Sequence, residues 1–158
     1  MKFSDFICTD AIRVNLEALD KTGAIEELVA ALVDAGAIRQ ENQQSIVDAL
    51  MKREELGSTG IGRGVAVPHT KHQSVDNDKL VGTVAISEEG LDFNSLDGEN
   101  VHIFFILISP MDRPGDHLRA LENISRQLHD NTFCSFLLQA KSADDIKSLL
   151  DEADETPT

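Results

Sequence analysis

The run Val101–Ile108, VHIFFILI, constrains the fold more than any other segment. Side chains of a strand alternate between two faces, and here both faces are apolar apart from His102. Such a strand must be covered on each side, the condition met in a sheet held between helices. Helical spacing elsewhere supplies those covers. Ile25, Leu28, Val29, Leu32 and Val33 recur at helical intervals within Lys21–Ala35, ahead of Gly36 as a stop. Ile46, Val47, Leu50 and Met51 mark a second helix from about Glu41 to Glu55, closed by Gly57. Lys79–Ile86, KLVGTVAI, reads as another strand. Asp116 is a candidate N-cap for a helix burying Leu118, Leu121, Ile124 and Leu128, and short helices follow at Thr132–Gln139 and Ala143–Leu150. The pattern predicts one α/β domain over residues 1–150, a sheet flanked by helices, with residues 151–158 as a flexible acidic tail.

Composition narrows the function. The 158 residues, 41% of them hydrophobic, give room for one domain with a substantial core. The net charge is -14, and Trp and Tyr are absent. Nucleic-acid binding needs a cationic face, and single strands often need aromatic platforms, so a nucleic-acid partner is not expected. The longest wholly apolar run, Ile103–Ile108, is far too short to span a bilayer. No basic segment leads into an apolar stretch at Met1–Asp10, so neither membrane insertion nor a secretory signal is expected. Cys8 and Cys134 lack metal or redox spacing and read as reduced thiols of a cytoplasmic protein.

The chemistry concentrates in Gly57–His69, GSTGIGRGVAVPH. Gly57, Gly60, Gly62 and Gly64 permit positive φ and close approach of backbone amides to an anion. Pro68 stiffens the entry to His69. The loop is not a P-loop, because Arg63 follows Gly62 where Lys and then Ser/Thr would be needed. It is not a dinucleotide fingerprint either, since Val65 and Val67 stand where a third glycine would. An ordinary glycine-rich turn stays open on these residues alone. His69 and His72 form an H-x-x-H without a third ligand nearby in sequence, a poor metal site, and no metal or cofactor is expected. His102 reads as a core or edge histidine, and His129 as a helix C-terminal one. His117 would sit in the first turn of the Asp116-capped helix, either as a solvated residue or beside an anion at the positive dipole end.

Arg53–His69, REELGSTGIGRGVAVPH, resembles the active-site motif of enzyme IIA domains of the fructose/mannitol class in the bacterial phosphoenolpyruvate-dependent phosphotransferase system. The G-S-T-G-I-G core is closer to the nitrogen-regulatory branch. The resemblance runs from about residue 5 to residue 150 and includes Val101–Ile108, His117-Leu118, and the terminal helices with Cys134 and Leu137. It implies a mixed sheet flanked by helices on both faces and a phosphocarrier activity. It implies that His69 accepts a phosphoryl group from a small histidine phosphocarrier protein, with Arg53 and His117 beside it. The loop residues Ser58, Thr59, Gly60 and Gly62 would bind phosphate. Thr70 departs from the small residue usual after the histidine, and would either alter partner fit or touch the phosphate through its hydroxyl. Three roles follow: a nitrogen-type regulator that binds target proteins, a transporter subunit that passes phosphate to a IIB domain, or a binding module that is not phosphorylated.

Overall fold

The computed structural model describes residues 1–75 and 79–155. Two helices come first, α1 (Lys21–Asp34) and α2 (Gln43–Glu55). Three very short strands follow, β1 (Gly60–Gly62), β2 (Val65–Ala66) and β3 (His69–Lys71), then two long ones, β4 (Val81–Leu91) and β5 (Val101–Ser109). Three helices close the chain: α3 (Pro114–Leu128), α4 (Asn131–Gln139) and α5 (Ala143–Glu155). The helix starts follow local chemistry. Asp20 caps α1 by accepting from the Gly23 amide at 2.7 Å, and Asp130 caps α4 through the Thr132 amide at 2.9 Å. Gly36, at φ 79°, ends the α1 segment as expected.

β5 is the axis of a mixed five-stranded sheet. β4 lies antiparallel on one edge, while β2 and β3 lie parallel in succession on the other. Val65 pairs with Ile103 and His69 with Leu107, so Val65–Lys71 is one extended path interrupted at Pro68. The outer edge of β4 is covered by the N-terminal segment, whose Ile7 and Arg13 bridge to Gly82 and Ala85. One face of the sheet packs on α1 and α2 through Leu28, Leu32, Ile46, Leu50, Phe104, Ile106 and Ile108. The other packs on α3–α5 through Phe105, Leu107, Ile124, Leu137, Ile146 and Leu150. Helices thus cover both faces, as the doubly apolar β5 requires.

Four expectations need correction. The glycine loop is largely strand: β1 and β2 form a hairpin whose turn, Arg63-Gly64, has φ of 62° and 80°. Two successive positive φ values make a type I′ turn, the form that suits the twist of a hairpin. Gly60 packs closely on Ser95, where an added Cβ would crowd the Ser95 Cα at 3.1 Å. α3 starts earlier than read. Arg113 is its N-cap and Pro114 its first residue, so Asp116 lies within the first turn and pairs with Arg119. Its buried positions include Ala120, Asn123, Ile124 and Leu128, whereas Leu118 is exposed. Finally, residues 151–155 are the last turn of α5, not a loose tail. Asp154 accepts from the Phe3 and Ser4 amides at 2.7 and 2.9 Å, tying that turn to the N-terminus. The rest of the expected tail, residues 156–158, lies outside the described residues.

Candidate active site at the open edge of the sheet

Strand parity sorts the residues around His69. His69 and Lys71 pair with Leu107 and Ser109, on the α3–α5 side of the sheet. Thr70 pairs with Ile108 on the α1–α2 side, and its hydroxyl donates to the Lys71 carbonyl at 3.3 Å. Thr70 therefore does not face the imidazole of His69. His72 faces the α1–α2 side as well. It is buried, with Nε2 against Ser45 Oγ at 2.8 Å and Nδ1 accepting from the Ser74 amide at 3.1 Å. The two members of the H-x-x-H thus lie on opposite faces and share no ligand.

His69 Nδ1 is 2.7 Å from the Val67 carbonyl oxygen. A carbonyl only accepts, so Nδ1 carries the proton and Nε2 is left with its lone pair. The ring of His117, on the first turn of α3, faces it with centroids 5.7 Å apart and planes tilted by 52°. The other end of that second ring is held by Ser109, whose hydroxyl hydrogen-bonds His117 Nδ1. Burial is the main cause that lowers the His69 pKa from its ordinary 6.5; the Val67 carbonyl opposes it, the Arg53 charge adds to it and Glu54 opposes it. Burial, then the neighbouring His69 and Lys71, push His117 down to about 4. Both imidazoles are therefore neutral at the pH of a cell.

A pH dependence follows with a definite sign. Unfolding returns each ring to about 6.5, so below that value the unfolded chain binds protons more readily than the folded one. The contribution of the two neutral rings to stability is complete above about pH 6.5 and is lost as the pH falls through their folded values. NMR titration is expected to show both rings protonating below 6.5, with the His117 midpoint near 4. A midpoint at or above 6.5 for either ring would contradict this burial argument.

Arg53, on the last turn of α2, donates from Nη1 to the Gly57 carbonyl at 2.9 Å, and its charge acts on His69. Its neighbour Glu54 was not singled out by sequence reasoning. Its carboxylate is buried and accepts from Lys21 Nζ at 3.1 Å, from the Thr59 amide at 3.1 and 3.2 Å, and from the Thr59 hydroxyl. The signal was its spacing: Ile46, Leu50 and Glu54 lie four apart on the buried stripe of α2. This network engages two amides of the glycine loop within the protein. The Thr59 amide is bound to Glu54 and the Gly60 amide to Ser58 Oγ at 3.0 Å, while Ser58 Oγ donates to the Phe93 carbonyl at 2.6 Å. Gly62 is buried within the β1–β2 hairpin. His117 faces His69, and the charge of Arg53 acts on that imidazole. His102 and His129 make their contacts elsewhere. His102 Nδ1 donates to the Ser87 carbonyl at 2.9 Å, and the His129 carbonyl accepts from Arg63 at 3.3 Å. Cys8 and Cys134 are free thiols, with burial raising the pKa of Cys134.

Fold and site together define a small α/β domain that presents a neutral imidazole nitrogen at the open edge of a mixed sheet. The chain belongs to the family described as phosphoenolpyruvate-dependent sugar phosphotransferase system, EIIA 2, which matches residues 5–153. It is 34% identical over 150 residues to a nitrogen regulatory protein of Bradyrhizobium diazoefficiens, covering 95% of each chain. It is 33% identical over 154 residues to the PTS system fructose-specific EIIABC component of Bacillus subtilis, spanning 98% of this chain but only 24% of that relative. The crystal structure of nitrogen regulatory protein IIA-Ntr from Neisseria meningitidis superposes with a TM-score of 0.83 at 27% identity, covering 94% of this chain and 98% of that one.

Proposed function

We propose that the chain is a phosphohistidine carrier of nitrogen-regulatory type that accepts a phosphoryl group on His69 Nε2 from the phosphohistidine of a small carrier protein. The observation that carries this reading is the Nδ1–Val67 hydrogen bond, which leaves Nε2 as a lone-pair nucleophile beside a second neutral imidazole. Transfer would form one N–P bond at His69 Nε2 and break the N–P bond of the donor, whose ring nitrogen keeps the electron pair. The Nδ1 proton stays on its bond to Val67, so no proton has to move. Phosphoryl transfer is mostly positioning and charge stabilisation, and the guanidinium of Arg53 and the imidazole of His117 suit that task.

Exposed apolar side chains near the site in sequence, Leu56, Ile61, Met111 and Leu118, would form the surface on which a carrier docks and excludes water. The same surface would serve regulatory targets, and a phosphoryl group there adds nearly two negative charges. The reading places the chain in the cytoplasm. No described helix is long and apolar enough to cross a membrane. A second reading, a subunit passing phosphate to a IIB domain, draws on the 33% identity to the fructose-specific relative.

Incubation with phosphoenolpyruvate, the first enzyme of the pathway and the carrier protein is expected to add one acid-labile phosphoryl group. No labelling would leave the protein-binding module as the surviving reading. Rapid transfer from the labelled chain to a fructose-type IIB domain would favour the transporter role. Arg53→Lys and His117→Ala are both expected to be labelled on the order of a hundredfold more slowly, the usual loss for one well-placed electrostatic donor. Wild-type rates in quench-flow would remove both residues from the site.

A further inference from the structure

We infer that Ser109 is a positioning residue for phosphoryl transfer: its hydroxyl fixes His117 in the tautomer that carries a proton on Nε2. The inference rests on the reading of His69 as acceptor. It starts from where Ser109 lies. The residue ends β5, is wholly buried, and stands opposite Lys71 on the face of the sheet that looks toward α3. Its backbone is fixed as well, because its carbonyl accepts from the His72 amide at 2.9 Å. The hydroxyl has one hydrogen-bonding partner among the described residues, His117 Nδ1.

A hydroxyl carries one hydrogen, and a buried hydrogen without an acceptor is costly. If His117 Nδ1 were the donor, the Ser109 hydrogen would have nowhere to go. If the hydroxyl donates, Nδ1 uses its lone pair and the proton of the neutral ring sits on Nε2. This arrangement is the mirror of His69. There a carbonyl holds the proton on Nδ1 and bares Nε2; at His117 a hydroxyl holds the lone pair at Nδ1 and leaves Nε2–H as a donor. One ring is set to attack phosphorus and its neighbour to donate a hydrogen bond to a phosphoryl oxygen. Burial keeps His117 from gaining a second proton, so the tautomer decides what the ring offers.

Nitrogen-15 NMR of the whole chain reads the tautomer without any phosphoryl chemistry. Wild-type His117 is expected to show an unprotonated Nδ1 and a protonated Nε2. Ser109→Ala should move the Nδ1 resonance and mix the tautomers, while Ser109→Thr keeps the hydroxyl and should restore the wild-type pattern. In transfer assays, Ser109→Ala should lower the rate at saturating carrier about tenfold with KM unchanged, less than the loss from deleting the imidazole. In a His117→Ala background the same change should cost nothing further. A proton on Nδ1 in the wild type would overturn the inference. So would an equal rate loss from Ser109→Ala with and without His117, since that marks a structural role. Absence of any label on wild-type His69 would instead overturn the reading on which it rests.

Discussion

His69→Ala is expected to abolish phosphorylation outright while leaving the fold intact. The substitution removes the proposed nucleophile, and no second group takes its place. His117 is held through Nδ1 by Ser109, and His72 faces the opposite side of the sheet with both ring nitrogens engaged. Among the described residues the substitution removes the hydrogen bond to the Val67 carbonyl, at a half-buried edge position, so stability should stay within about 1 kcal/mol of wild type. Intact-mass measurement after incubation with the pathway proteins tests the first half, and thermal unfolding the second. A phosphoryl group that persists in His69→Ala would move the acceptor elsewhere.

The largest stability effect is expected at Glu54, a residue that need not touch phosphate at all. Its side chain is 2% exposed and binds Lys21, the Thr59 amide and the Thr59 hydroxyl together. Lys21 also lies over the ring of Phe93, its ammonium 4.9 Å from the centroid. Glu54→Ala would strand a largely buried ammonium and two buried donors at once. Breaking a buried pair from one side costs about 3 kcal/mol or more, a melting temperature lower by roughly 6–12 °C in a domain of this size. Glu54→Gln keeps an acceptor and should fall between. Lys21→Met combined with Glu54→Gln should recover part of the loss, because no charge is then left unpaired. Melting of Glu54→Ala within about 2 °C of wild type would show that the network contributes little.

Much of this architecture was legible in the sequence. α1 was found to within a residue because its apolar stripe and Gly36 agree. β5 declared its surroundings through its two apolar faces. β1, β2 and β3 were missed because two or three residues hold too little periodicity to register, and because Arg63 takes the positive φ usually left to Gly or Asn. The N-terminal segment was unreadable for another reason. Phe3, Phe6, Ile7 and Ile12 are buried in short turns with no regular spacing. The start of α3 was misplaced because Asp116 looked like a cap while Pro114 fixed the true first turn. Of the site, His69 and His117 stood out by their places after Pro68 and at a helix start, while Arg53 came from the resemblance. Glu54 and Ser109 stayed hidden, since their importance lies in what they touch across the fold.

The alternation of Val65–Lys71 has a consequence for how this strand can change over time. Which residues reach the site is a matter of odd and even. Val65, Val67, His69 and Lys71 share one side of the sheet, while Ala66, Thr70 and His72 share the other. Losing or gaining a single residue between Val65 and His69 would exchange the two sets, turning the imidazole into the α1–α2 core and a neighbour toward His117. The segment can accept new side chains one at a time, but single-residue indels are closed to it.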